Sequence, residues 1–310
     1  MNSLIEKLQR SLILLRRSVQ VIAENPKLLV FPFVTGVLTT AIALFFLAPV
    51  ALVLLAPHWV AGSHIQALAD HIGFLRFGKS GNFDFRLQPV GSAVLAGVYL
   101  VNMFLATMAN VAFNSQIMAA LQGKPVSIQQ GLELACRRWK PVLFWSLVAG
   151  FVGLIIRSLE ERWALVGRLV AGLIGLAWST ASIFAIPIIV QEPDLANPFR
   201  VLARSATTIK RTWGEMLVGY VGMKGTNLMV VWGSIVFWIL TGAGALLLSN
   251  PWLLLLGIPW LGCVIAYGYI TSVASRVYLC ALYLYAAEGV VPGYYDTAMM
   301  GMGWKMKKAK

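Results

Sequence analysis

Arg137-Arg138-Trp139-Lys140-Pro141-Val142-Leu143-Phe144-Trp145 sets three cations and an indole against a proline, then turns apolar, and no charge follows until Arg157. Such a change marks a chain that lies on a membrane surface and then enters the membrane. Arginine and lysine reach phosphate while burying their stems, and a tryptophan ring suits the headgroup level. The same change occurs twice more. Leu14 to Val34 reads LLRRSVQVIAENPKLLVFPFV and Val201 to Val221 reads VLARSATTIKRTWGEMLVGYV. Set one above the other, Arg17-Ser18 falls on Arg204-Ser205, Ile22 on Ile209, Phe33 on Tyr220 and Val34 on Val221; Trp139 takes the place of Trp213.

Three such entries need three returns. Gln122-Gly123-Lys124-Pro125, Gln191-Glu192-Pro193 and Glu288-Gly289-Val290-Val291-Pro292 each close an apolar run with residues that stop a helix and redirect the chain. The expected fold is therefore an all-α polytopic membrane protein with six transmembrane helices. They would form three pseudo-repeats, each a basic cytoplasmic interfacial helix followed by a two-span hairpin. The chain reads as one integral membrane domain over 1–310, with repeats at about 4–125, 126–193 and 197–292 and a basic tail at 293–310.

Composition agrees. Of the 310 residues, 59% are hydrophobic and 12% charged, and the mean hydropathy is +0.76, whereas soluble domains are about 45–50% apolar and ~25% charged. A helix needs about 20 apolar residues to cross the hydrocarbon. Six stretches qualify, at roughly 28–56, 91–120, 141–158, 166–190, 226–249 and 252–287. The last is longer than a crossing requires, so its first part is the span and the part after Arg276 should emerge.

The formal charge of +13 comes from 25 Lys+Arg against 12 Asp+Glu. The cations sit in short clusters beside apolar runs. Nineteen fall before span one, after the even spans and in the C-terminal part, and six fall in the alternate connections. By the positive-inside bias both termini are cytoplasmic. The clusters on that side, Arg16 and Arg17, Arg137, Arg138 and Lys140, and Arg204, Lys210 and Arg211, are the candidate contacts for anionic lipid headgroups of the bilayer. A protein partner or a homo-oligomer is the alternative engagement of the same face; nothing in the pattern suggests a nucleic-acid surface. Leu12, Leu15, Val19 and Ile22 recur at helical spacing opposite charged positions. Such a helix either lies on lipid or packs on the protein's own spans, and the sequence leaves both open.

Catalytic chemistry finds little support. All twelve carboxylates fall in connections or at span ends, which argues against the acidic relay of a proton- or sodium-coupled transporter. Phosphate-binding glycine loops, H-E-x-x-H and G-x-S-x-G are missing. His58, His64 and His71 share one outer connection, with Asp70 beside His71; a solvated or interfacial helix explains them more simply than a metal site, so no metal and no cofactor is expected. Cys136, Cys263 and Cys280 lack metal spacing and read as small core residues. The N-terminus offers no compact apolar run followed by a cleavage site, so no removed signal peptide is expected. Asn102, Asn110 and Asn114 lie within a sector of roughly 120° of span two and should face protein or water. Interhelical hydrogen bonds are the first reading and a polar pathway the second. Gly167, Ala171, Gly175 and Ser179 form a small-residue stripe that would let a neighbouring helix come close.

The run FNSQIMAALQGKPVSIQQGLELACRRWKPVLFWSLVAGFVGLIIRSLEERW, with GLAWSTASIFAIPIIVQE, RSATTIKRTWGE and LYLYAAEGVVPGYYD, resembles an uncharacterised family of prokaryotic integral membrane proteins. The repeat pattern more loosely resembles the membrane domain fused to some glycerophosphodiester phosphodiesterases, whose catalytic domain has no counterpart here. The resemblance implies a bacterial inner membrane and brings no substrate or catalytic residues. A non-enzymatic membrane protein that binds lipid or a partner through its basic helices is the leading expectation. An uncoupled channel or facilitator for a small anionic or amphipathic solute is the second.

Overall fold

The computed structural model describes residues 2–55, 89–162, 164–212 and 216–295, and within them every regular element is helical. In chain order these are α1 (Asn2–Glu24), a 3-10 turn (Pro26–Leu29), α2 (Val30–Leu55), α3 (Pro89–Leu121), α4 (Ile128–Arg137), α5 (Trp139–Arg162), α6 (Ala164–Ala181), α7 (Ala185–Gln191), α8 (Pro198–Thr212), α9 (Met216–Leu247), a second 3-10 turn (Pro251–Leu256) and α10 (Gly257–Glu288). Six stretches are long and apolar enough to cross a membrane: Pro26–Phe45, Ala96–Leu121, Trp139–Glu160, Gly167–Gln191, Leu228–Leu247 and Trp252–Glu288. They fall where the apolar runs placed them.

Proline decides two boundaries. Pro141 has no N–H to give, and its ring would crowd the carbonyl of Arg137 four residues back. Helix α4 accordingly stops at Arg137, Arg138 takes φ −96° and ψ 19°, and α5 starts afresh at Trp139. Pro187 stands in the same relation to Ile183. The fourth span is therefore two helices, α6 and α7, rather than the single helix expected. The break frees the N–H of Phe184, and Ser205 Oγ on α8 accepts it at 3.1 Å.

The exits follow their glycines. Gly123 has φ 73°, donates to the Ala120 carbonyl at 3.0 Å, and is followed by Lys124 donating to Ala119 at 2.8 Å, the pair of bonds that closes a helix on a left-handed residue. Gly289 ends α10 with φ 69°. At the start of α8, Asn197 Oδ1 accepts from the N–H of Phe199 at 2.9 Å, with Pro198 in the first helical position, where its missing donor costs nothing.

Helices pair as α2 with α3, α5 with α6, and α9 with α10, and an aromatic stack fastens each pair. Phe31 meets Phe113 at 5.7 Å, Trp145 meets Trp178 at 5.7 Å and Phe237 meets Trp260 at 4.5 Å between ring centroids. The small-residue stripe is used in part: Gly167 and Ala171 are buried and Gly175 faces Ile156 of α5, while Ser179 is exposed.

The core lies at one end of the bundle. It joins Val111–Leu121 of α3, Phe184–Val190 and Val273–Leu284 of α10. The basic helices wrap it in order: α4 packs on α3, α8 on α6 and α7, and α1 on α9 and α10. Each of α4 and α8 therefore sits on the helix pair that precedes it in the chain, and α1 on the last pair.

Candidate membrane-surface site

The three basic helices turn small and apolar residues inward. On α1 these are Ser18, Val21 and Ile22; on α4, Gly131 and Ala135; on α8, Val201, Ser205, Thr208 and Ile209. One side of each amphipathic helix packs on the protein's own spans, while Ile13, Ile128, Leu132 and Phe199 of the same helices stay exposed. Aligning Trp139 with Trp213 puts Gly131 on Ser205, and Ser205 already pairs with Ser18. All three are crossing points. The hydroxyl of Ser18 donates to the Leu14 carbonyl at 2.9 Å, so the Tyr295 hydroxyl, 2.8 Å away, is the donor to Ser18 Oγ. A Cβ on Gly131 would stand 2.9 Å from the Ala112 carbonyl oxygen. Ser205 takes the Phe184 N–H described above. Burial raises the Tyr295 pKa above the usual tyrosine value.

The cations face the other way. Arg16, Arg137, Lys140, Arg204 and Lys210 are exposed, whereas Arg17 and Arg138 are half-buried. Arg17 donates to Gln20 Oε1 at 3.2 Å, Gln20 donates to Glu24 at 3.1 Å, and the Tyr294 hydroxyl donates to the same carboxylate at 2.8 Å. That bond to Glu24 is the first cause of a raised Tyr294 pKa, with burial second. Arg204 pairs with Glu192 at 3.1 Å and Arg137 with Glu133 at 2.6 Å. Arg138 turns inward to the Val190 carbonyl at 3.4 Å; its partial burial lowers its pKa and Asp194 works in the opposite sense. Lys140 places its ammonium 5.8 Å from the Trp139 ring centroid. Arg211 belongs to α8, but its side chain lies outside the described residues, as do Trp213, His58, His64, Asp70, His71 and the tail after Tyr295.

The asparagines separate. Asn114 is buried; its Nδ2 donates to the Asn110 carbonyl at 2.7 Å and its Oδ1 accepts from Cys280 Sγ at 3.0 Å, a bond across α3 and α10. Asn110 is half-buried. Asn102, eight residues earlier, keeps a shielded Oδ1 that has no partner among the described residues. The cysteine reading needs correction, because only Cys280 is buried. Cys136 follows the inward Ala135 by one position and so faces outward on α4, and Cys263 lies where α10 exposes its apolar face.

These features define a class: a helical protein with six helices long and apolar enough to cross a membrane, whose basic helices dock on its own core and leave Arg16, Arg137, Arg204 and Lys210 exposed. The chain belongs to a family of unknown function (DUF6159), whose model matches residues 89–293. That match runs from α3 through α10 and leaves α1 and α2 outside it. No curated protein and no solved structure matches, and nothing in these comparisons links the chain to the membrane domain of glycerophosphodiester phosphodiesterases.

Proposed function

We propose that this is a non-enzymatic inner-membrane protein of three pseudo-repeats, with both termini in the bacterial cytoplasm, whose basic helices bind anionic lipid headgroups. One observation carries the reading: α1, α4 and α8 bury Val21, Ile22, Ala135, Val201 and Ile209 in the core while Arg16, Arg137 and Lys210 stay exposed, as does Lys140 at the start of α5. Each cation near an anionic surface contributes about 1 kcal/mol, so a ring of them makes a substantial binding surface. The order in which the helices dock, each on the hairpin before, supports the repeats.

The test uses the purified full-length chain in nanodiscs that contain either phosphatidylcholine alone or phosphatidylglycerol as well. Native mass spectrometry should find phosphatidylglycerol retained in preference, and glutamate at Arg16, Arg137 and Lys210 should abolish the preference. No preference in the wild-type protein, together with a stoichiometric companion recovered from native membranes, would replace lipid by a protein partner.

A facilitator of a small anionic or amphipathic solute is the second reading, and the shielded Oδ1 of Asn102 favours it. Flux of candidate anions into liposomes above background, lost in Asn102→Leu, would support it; absence of flux would remove it.

A further inference from the structure

Among the described residues, the corner between α4 and α5 brings exposed cations and an indole together. Arg204 is committed to Glu192 and Arg17 to Gln20. At the corner, Trp139 and Lys140 are both exposed, and the ammonium rests beside the indole. Arg137, with 76% of its side chain exposed, is held by a carboxylate, Glu133, that is itself open to solvent. A competing phosphate could therefore reach Arg137 without breaking into the core. Arg138 stays tied inward and supports the corner from beneath.

From this corner α5 climbs straight into the apolar medium. Phe144, Phe151 and Ile155 are its exposed large apolar residues above Trp139. Counted from Lys140 they are 4, 11 and 15 residues on, which at 100° per residue places all three within about 60° of the Lys140 direction. Phe151 stands roughly 16 Å above Lys140 along the axis. Half of a hydrocarbon core of ~30 Å is about 15 Å. One helix face thus presents a cation at its foot and an apolar strip one leaflet tall above it, while the Trp139 indole lies about 100° round the helix, its ring centroid 5.8 Å from the Lys140 ammonium.

We infer that this face of α5, with Lys140 at its foot and Trp139 and, from α4, Arg137 flanking it, is a binding site for a single anionic glycerophospholipid of the inner leaflet. The phosphate lies against Lys140 and Arg137, the glycerol at the Trp139 ring, and an acyl chain along Phe144 and Phe151. The inference rests on the lipid-binding reading above and makes it local. Two outward cations against one carboxylate, Glu133, favour an anionic over a zwitterionic headgroup. The apolar strip favours a lipid over a free phosphate. Of the other two corners, α1–α2 has Pro26-Lys27 and no indole, while the sequence of α8–α9 carries Lys210, Arg211 and Trp213.

The test measures binding of fluorescent phosphatidylglycerol to the purified full-length chain, for wild type, Lys140→Glu, Trp139→Ala and, as a control at an exposed lysine outside the named clusters, Lys124→Glu. These side chains are exposed or lie outside the core, so thermal unfolding should stay unchanged and will show that the variants fold. Lys140→Glu should weaken binding at least tenfold, Trp139→Ala several-fold, and Lys124→Glu less than twofold. Soluble glycerol 3-phosphate should not compete. Equal weakening by Lys140→Glu and Lys124→Glu, or competition by glycerol 3-phosphate, overturns the local site while leaving a diffuse basic surface. Wild-type binding no better to phosphatidylglycerol than to phosphatidylcholine overturns the general reading as well.

Discussion

The two halves of α10 are similarly apolar and meet opposite surroundings. Ile258, Leu261, Ile265 and Ile270 in the first half are exposed, whereas Val273, Ala274, Val277, Tyr278 and Cys280–Leu284 are almost wholly covered. The first half has α9 beside it, and the segment Leu228–Leu247 of α9 buries none of its residues. The second half lies among α1, α3 and α8. Lipid chains are as apolar as leucine, so hydrophobicity alone draws no helix against another within the bilayer. What gathers the second half is the fit of small residues and the placing of hydroxyls: Gly131 against Ala112, Ser205 under Phe184, Ser18 against Tyr295, and Asn114 against Cys280.

The contrast can be broken by paired substitutions. The largest effect should come from Trp145→Ala, which empties a buried site and removes the stack on Trp178. It should cost about 3–5 kcal/mol and lower the thermal unfolding midpoint sharply, while Trp232→Ala on the exposed face of α9 should barely move it. Equal shifts would mean that the two regions do not differ. Next comes Gly131→Val. The obstacle is a backbone carbonyl that cannot swing aside, so overpacking should cost roughly 1–3 kcal/mol. Gly268→Val on the first half of α10, with nothing within 4 Å of its Cβ position, should leave the midpoint in place.

A smaller effect is expected from Tyr295→Phe, which removes one hydrogen bond to Ser18, worth about 1 kcal/mol. It should also alter the alkaline limb of stability. The folded pKa of Tyr295 is raised, so its contribution is complete below the ordinary tyrosine value of about 10 and declines above it, where the unfolded chain ionises first. The wild-type midpoint should therefore fall more steeply above pH ~10 than that of Tyr295→Phe, and parallel curves would remove Tyr295 from the account.

The spans were legible because twenty apolar residues in a row have few other uses, and the exits were legible in Gly123 and Gly289. The division of the fourth span was within reach too, since Pro187 stands in plain view inside it, but hydropathy averages over a break. Burial was not legible: an apolar side chain reads alike whether lipid or protein covers it, which is why Cys136 and Cys263 were misplaced while Cys280 was not. At the surface, the cations could be found from their clusters, but their partners could not. Glu192 is twelve residues from Arg204, the carbonyl that holds Arg138 lies 52 residues on, and Asn114 and Cys280 are 166 apart. Such pairings depend on which helices meet, and the three entries carry that information only faintly, in the small residue at Ser18, Gly131 and Ser205.

The central claim is that the basic helices occupy the cytoplasmic surface, and the native cysteines provide the probe. Cys136 is exposed on α4, one residue from Arg137. Bacterial cells producing the protein can be treated with a membrane-impermeant maleimide before and after permeabilisation, with Cys136→Ser as the control. Cys136 should stay unmodified in intact cells and react once they are opened; modification of Cys136 in intact cells would place α4 on the outside and contradict the account.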